Sequence, residues 1–167
     1  TSILEHGSEK EQQLLELNKD LLKALGMVRG VNHTEYIIGH DGRIYFLETS
    51  ARVGGAHIAE LVEMATGLNL WAEWARVEVA GGKQDYDPPA ALQDYAGLLV
   101  TLAKQEHPDT SAYQYPELVW RMNKTNHVGF IVKSESPARV QQLLGELTGR
   151  VQQDFWAYAP PKDKPTD

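Results

Sequence analysis

The chain has 167 residues, 42% of them hydrophobic and 23% charged, enough for a packed core in one domain or two small ones. A formal net charge of −7 and a pI near 5.3 argue against a general nucleic-acid binder or an anionic-membrane binder, since either needs a basic face. Cysteine is absent, which excludes disulfides, thiolate zinc sites and thiol catalysis and fits a cytoplasmic origin.

Leu14, Leu15, Leu17, Leu21, Leu22 and Leu25 recur at helical spacing and predict an amphipathic helix over 9–25. Ser8 is its expected N-cap, Glu9 and Glu11 complement the dipole in the first turn, and Gly26 ends it. Nothing before this helix reads as a signal peptide, and no run of about 18 apolar residues predicts a membrane span. The chain opens on Thr1 rather than Met, which suits a piece of a longer protein.

Residues 30–55 read as two strands joined by a tight turn at Asp41-Gly42. A two-residue loop pairs His40 with Arg43 and therefore Glu35 with Glu48. A four-residue loop from Gly39 to Gly42 pairs Glu35 with Phe46 and leaves Glu48 on the diagonal, still on the same face. Only an odd-length loop separates the two carboxylates onto opposite faces. Like charges opposed in this way are destabilising unless a cation lies between them. Mg²⁺ suits one or two protein carboxylates with phosphate and water completing its shell, and Mn²⁺ can substitute for it. Ser50 shares the face of Glu48 and offers a neutral oxygen. The alternative is a pair of solvated glutamates; Phe46 and Ile44, counted onto the same face, argue against a simply wet surface.

Arg52 follows directly, with a forked charge suited to phosphate or carboxylate oxygens. Gly54 and Gly55 expose backbone amides just before a helix expected over 56–66, whose N-terminus favours anions. His33 lies two residues before Glu35 on the same face, where it either meets a ligand or fills the hairpin. His57 is a weaker candidate; His6, His40, His107 and His127 fall in loop-like contexts. Asn69 caps a third helix from Leu70 to about Val79, whose Trp71 and Trp74 read as packing.

Gly81, Gly82 and the polar run to Pro88-Pro89 predict a linker over 82–89. Beyond it, strands are expected at Tyr95–Ala103, Glu117–Met122 and Val128–Lys133. A helix follows, capped by Ser136 with Pro137 in its first turn and running to about Leu147. A last strand is expected at Val151–Tyr158. The division is 1–81, linker 82–89, a small subdomain 90–159 and a flexible tail 160–167.

The residues from Leu21 to Val79 resemble the ATP-grasp superfamily. The resemblance runs through Ala24-Leu25-Gly26-Met27-Val28-Arg29-Gly30, His33-Thr34-Glu35, Asp41-Gly42, Leu47-Glu48-Thr49-Ser50-Ala51-Arg52-Val53-Gly54-Gly55 and Ala65-Thr66-Gly67-Leu68-Asn69-Leu70. It implies an α+β architecture: the C-terminal half of an ATP-grasp fold, an antiparallel sheet with packed helices, plus a small α/β subdomain. It implies ATP and Mg²⁺ as cofactors, with Glu35 and Glu48 holding metal on the ATP phosphates. Ser50 stands where the family usually has an asparagine ligand. Arg52 then steadies the transferring phosphoryl group, with Gly54 and Gly55 beside it and His33 near the nucleotide.

The Arg-x-Gly-Gly ending is most similar to the amino-acid ligase branch, which joins small-molecule carboxylate and amine substrates through an acyl phosphate. Carbamoyl-phosphate synthases share the metal motif and are an alternative; biotin carboxylases place a glutamate base near Ala56. The family's substrate domain, glycine-rich lid and adenine-holding lysines have no counterpart before residue 9. The expected partner is therefore the N-terminal half of the ligase, with the chain inactive alone, whether as a fragment or as one component of a split enzyme. A homo-oligomer is compatible with the sequence. The rival from another class is a non-catalytic binding or assembly module, against which the complete set of Glu35, Glu48 and Arg52 argues.

Overall fold

The computed structural model describes residues 2–83 and 85–156. The chain forms two compact units, Thr1–Tyr95 and Ala96–Asp167. Among the described residues no helix is long and apolar enough to cross a membrane.

In the first unit α1 spans Glu9–Ala24. Its N-terminus is held twice. The Ser8 hydroxyl accepts the Glu11 amide, and the Glu11 carboxylate reaches back to the Gly7 amide at 2.6 Å, a variant of the capping box. At the other end Gly26 sits at φ 73°, so that the Met27 amide bonds the Leu22 carbonyl and the Gly26 amide that of Lys23. This Schellman closure requires a left-handed residue, which glycine adopts without strain.

The strands β1 (His33–Ile38) and β2 (Ile44–Ser50) form a two-stranded antiparallel sheet. On one of its faces Tyr36 meets Phe46 edge-on with ring centroids 6.1 Å apart, and the Thr34 and Thr49 hydroxyls bond at 2.8 Å. The Tyr36 hydroxyl donates to Asn18, so α1 lies against this face. Helices α2 (Ile58–Thr66) and α3 (Leu70–Ala80) follow, the first ended by left-handed Gly67 and the second capped by the Asn69 side chain on the Ala72 amide. Glu73 of α3 is buried at 6% exposure, which demands partners. Arg76 pairs with it, and the Tyr86 hydroxyl donates to it at 2.6 Å, fastening the chain after α3 to that helix.

Packing in this unit is thin. Among the described residues its buried apolar side chains are Val53 and Ala59, and α1 buries none of its residues.

The second unit is denser. Its sheet has the order β3 (Tyr95–Leu102), β5 (His127–Ser134), β4 (Leu118–Arg121), with β4 antiparallel to β5. The helix α4 spans Pro137–Asp154 and buries Val140, Leu143, Leu147 and Val151, a stripe at helical spacing. The central strand buries Val128, Phe130, Ile131 and Val132. Gly97 of β3 has no room for a side chain: a Cβ there would lie 2.6 Å from Leu144 and 2.8 Å from Val140. Tyr113 stacks on Phe130 at 5.0 Å and donates its hydroxyl to Asp154 at 2.8 Å.

The strand expected from Val151 is instead the last turn of α4, because Val151 continues the stripe begun at Val140. Beyond α4, Trp156 bridges Ala103 and the Phe155 carbonyl accepts the Lys104 amide at 2.8 Å. Residues 157 and 158, and the tail at 160–167, lie outside the described residues.

Candidate functional site

The hairpin brings Glu35 opposite Glu48 and His33 opposite Ser50. The route to this pairing differs from either even-length loop. The Gly39 amide bonds the Arg43 carbonyl, and the Gly42 amide bonds the Gly39 carbonyl, so the loop is His40-Asp41-Gly42 with Gly42 left-handed at φ 76°. That is the three-residue hairpin with its glycine in the position that requires positive φ. Asp41 supports it by accepting the Arg43 amide at 3.0 Å and the Tyr45 hydroxyl at 2.9 Å.

An odd loop alone would send the two carboxylates to opposite faces. A bulge at Leu47 reverses this. Tyr36 pairs with Phe46, Glu35 pairs with Glu48, and Leu47 is the extra residue between. Phe46 and Ile44 consequently share the face of Tyr36, not that of Glu48. The sequence count placed them wrongly because it omitted the bulge.

The face of Glu35 and Glu48 therefore also carries His33, Ser50, Ile37 and Tyr45. Glu35 is half-exposed, with His33 Nε2 at 3.9 Å from its carboxylate. Among the described residues Glu48 makes no ion pair, so His33 beside Glu35 is the basic side chain next to the pair. The donor set, two carboxylates with a hydroxyl alongside, fits a hard divalent cation. No group of three or more His, Asp or Glu among the described residues could hold a metal by itself. A divalent cation between these carboxylates would need further oxygens from outside the protein to complete its shell.

Arg52 lies just beyond β2. Its guanidinium donates to the Val53 carbonyl at 3.0 Å, folded back over its own loop. Gly54 and Gly55 differ in kind. A Cβ on Gly54 would lie 2.8 Å from Ile58 Cγ2 and 3.3 Å from His33 Cδ2, so this glycine permits close packing of the first residue of α2 and of His33. At Gly55 the nearest atom to a Cβ would be Arg52 Nη1 at 3.8 Å, which leaves its backbone open beside the guanidinium. Gly54 thus ties the Arg52 segment to the carboxylate-bearing strand, and Gly55 is exposed beside the guanidinium.

The helix expected from Ala56 begins at Ile58 because Ala56 and His57 are both left-handed, at φ 51° and 67°. His57 occupies the N-cap position without capping; its Nδ1 lies 3.1 Å from Glu60. The sequence carried one weak sign of this contact, a histidine three residues before a glutamate at a helix start, and none of the backbone conformation.

This architecture matches part of the ATP-grasp fold. The crystal structure of the L-amino acid ligase from Bacillus licheniformis is similar, with a TM-score of 0.64 and 17% identity, over 92% of this chain and 43% of that one. The N5-carboxyaminoimidazole ribonucleotide synthetase from Thermotoga maritima follows, with a TM-score of 0.61 and 15% identity over 90% of this chain and 43% of that one. In sequence, the L-arginine-specific L-amino acid ligase of Bacillus subtilis is 27% identical over 77 residues, which is 46% of this chain and 19% of that protein. The chain thus spans less than half the length of each of these proteins. No family model matches it.

Proposed function

We propose that this chain is the C-terminal portion of an ATP-dependent carboxylate–amine ligase and supplies the magnesium–phosphate end of its active site. The observation that carries this reading is the opposition of Glu35 and Glu48 on a hairpin face to which Gly54 ties the Arg52 segment. Similarity to two amino-acid ligases supports the branch.

In this reading Glu35 and Glu48 hold Mg²⁺, with the Ser50 hydroxyl as a further oxygen. The ion supplies charge neutralisation for ATP phosphates when bound. Arg52 swings from the Val53 carbonyl to the transferring phosphoryl group, where a permanent planar charge stabilises the spread negative charge best. Gly55 lets the backbone approach the same oxygens, and Gly54 keeps that segment against His33. The γ-phosphoryl passes from ATP to a substrate carboxylate; an amine then displaces phosphate from the acyl phosphate to give an amide. The nucleotide's adenine end and the acid pocket belong to the N-terminal half of the enzyme, so the isolated chain is inactive. A cytoplasmic location fits substrates of this kind.

The test has two parts. In the intact enzyme, ADP release is screened against pairs of amino acids, beginning with pairs that contain L-arginine. Glu48→Gln should abolish release, and unchanged turnover removes the role given to Glu48. In the isolated chain, Mn²⁺ should broaden NMR signals around Glu35 and Glu48 first; broadening confined to other acidic patches removes the metal site.

A further inference from the structure

The hairpin that opposes Glu35 and Glu48 has a simpler alternative. Without the bulge at Leu47, Tyr36 keeps Phe46 as its partner, but Glu35 faces Leu47, Thr34 faces Glu48 and His33 faces Thr49. A slip of one residue sends side chains to the other face of a sheet. Glu48 and Ser50 would then turn toward α1, away from Glu35. The bulged register, by contrast, opposes two like charges, which disfavours it. A sheet of two strands is also marginal by itself. The bulge therefore needs a contact that favours it.

The helix side of the hairpin supplies one. Thr34 lies opposite Thr49, and their hydroxyl oxygens are 2.8 Å apart. The Thr34 hydroxyl donates to the Asn32 side-chain oxygen at 2.9 Å. A hydroxyl has one proton to give, so Thr49 is the donor between the two threonines. Asn32 Oδ1 also accepts from Asn18 Nδ2 at 3.5 Å, and Asn18 Oδ1 accepts the Tyr36 hydroxyl at 3.2 Å. Both chain neighbours of Glu35 are thus tied to Asn18 of α1, Tyr36 directly and Thr34 through Asn32. Thr49, the neighbour of Glu48, joins the same series of bonds. All five side chains belong to half-buried residues, while Glu35 and Glu48 are exposed on the other face.

We propose that Thr34 and Thr49 are positioning residues of the metal site: their hydroxyl bond, anchored through Asn32 to Asn18, selects the bulged register and so keeps Glu48 opposite Glu35. This rests on the ligase reading above, in which the two carboxylates hold Mg²⁺. The bond discriminates because it exists in one register alone. In the unbulged hairpin neither threonine has the other as its partner. The threonines touch neither metal nor substrate; they act on the site from behind, by deciding which face Glu48 occupies.

The experiment uses the full 167-residue chain with Mn²⁺ as the probe. Thr34→Val and Thr49→Val keep the branched shape that suits a strand and lose the hydroxyl. Each should weaken Mn²⁺ binding at Glu35 and Glu48 by about three- to tenfold, the scale of one net hydrogen bond. Without metal, cross-strand NOEs from Glu35 should move in part from Glu48 to Leu47. Thr34→Ser and Thr49→Ser keep the hydroxyl and should bind Mn²⁺ as the wild type does, which also keeps the test decisive if valine unfolds the hairpin. Valine variants with wild-type Mn²⁺ affinity and intact Glu35–Glu48 NOEs overturn the assignment, whatever their unfolding midpoint, because the threonines then serve stability alone. Serine variants that bind as weakly as the valine ones overturn it too. A wild-type chain that binds no Mn²⁺ at these carboxylates removes the metal reading itself, and this assignment with it.

Discussion

Glu35 stands directly opposite Glu48, and it does so because a three-residue loop and a one-residue bulge at Leu47 cancel each other in the register of the hairpin. Among the described residues no lysine or arginine pairs with either carboxylate, and His33 lies 3.9 Å from Glu35. Such an arrangement costs stability and is retained only where something else is gained.

That cost can be measured. In the isolated chain without divalent cations, Glu48→Gln should stabilise the hairpin by about 0.2–1 kcal/mol, the scale of a relieved cross-strand repulsion. Glu35→Gln should do the same. Mn²⁺ should raise the thermal midpoint of the wild type and leave both variants unmoved. Destabilisation by either substitution would show that the carboxylates serve the fold rather than a ligand.

The two glycines after Arg52 should separate cleanly. Gly54→Ala forces a methyl group to within 2.8 Å of Ile58 and 3.3 Å of His33, an overpacking expected to cost about 1–3 kcal/mol in urea unfolding. Gly55→Ala meets nothing closer than 3.8 Å and should leave the unfolding midpoint nearly unchanged. In the intact enzyme its effect should appear in activity instead.

Acid should weaken the chain through two glutamates. The Arg139 guanidinium, bonded at 2.8 Å, holds the Glu117 carboxyl below its ordinary range. The Gly7 amide, and then His6, do the same for Glu11. A depressed folded value means that the unfolded chain takes up protons first. The stabilisation is complete above the unfolded glutamate value of about 4.3 and is lost as pH falls through the lower folded values. Glu117→Gln should therefore lower the urea midpoint at pH 6, and the difference from wild type should shrink steadily as acid is added below the unfolded glutamate value.

Side-chain truncation should reveal the unequal packing of the two units. Leu143→Ala, in the fully buried stripe of α4, should cost about 2–5 kcal/mol. Leu15→Ala on α1, where the leucine is 62% exposed, should fall within about 0.5 kcal/mol of wild type. Hydrogen exchange should follow the same order, with amides of β5 outlasting those of β1.

Much of the architecture could be read from the sequence because the signals were local. Ser8, Asn69 and Ser136 cap the helices they precede, and Gly26 and Gly67 end the helices they follow, since each satisfies a terminal backbone group by its own chemistry. The glutamate pairing was legible for a different reason. Two one-residue offsets in the hairpin left its net register unchanged, so a wrong loop length still led to the right partners. The face of Phe46 and Ile44 exposes the error, because they lie on the loop side of the bulge. The steric role of Gly54 and the left-handed pair Ala56-His57 depend on contacts that no spacing rule encodes. The end of α4 was missed because Phe155, Trp156 and Tyr158 imitate a strand, while the decisive signal was Val151 continuing the series of Leu143 and Leu147.

The sparse interior of the first unit has a colloidal consequence. Ile37, Tyr45, Phe46 and Leu47 are each at least half exposed on a sheet of two strands, with Leu25 and Val28 similarly open after α1. Strand edges of this kind template pairing with other chains. The opposing influence is the net charge of −7, which keeps copies apart in dilute buffer at neutral pH. As the pH approaches the pI near 5.3, or as salt shortens the reach of that repulsion, residues 33–50 become the seam along which isolated chains stick. Solution work on the isolated chain is therefore best kept alkaline of neutrality and low in salt.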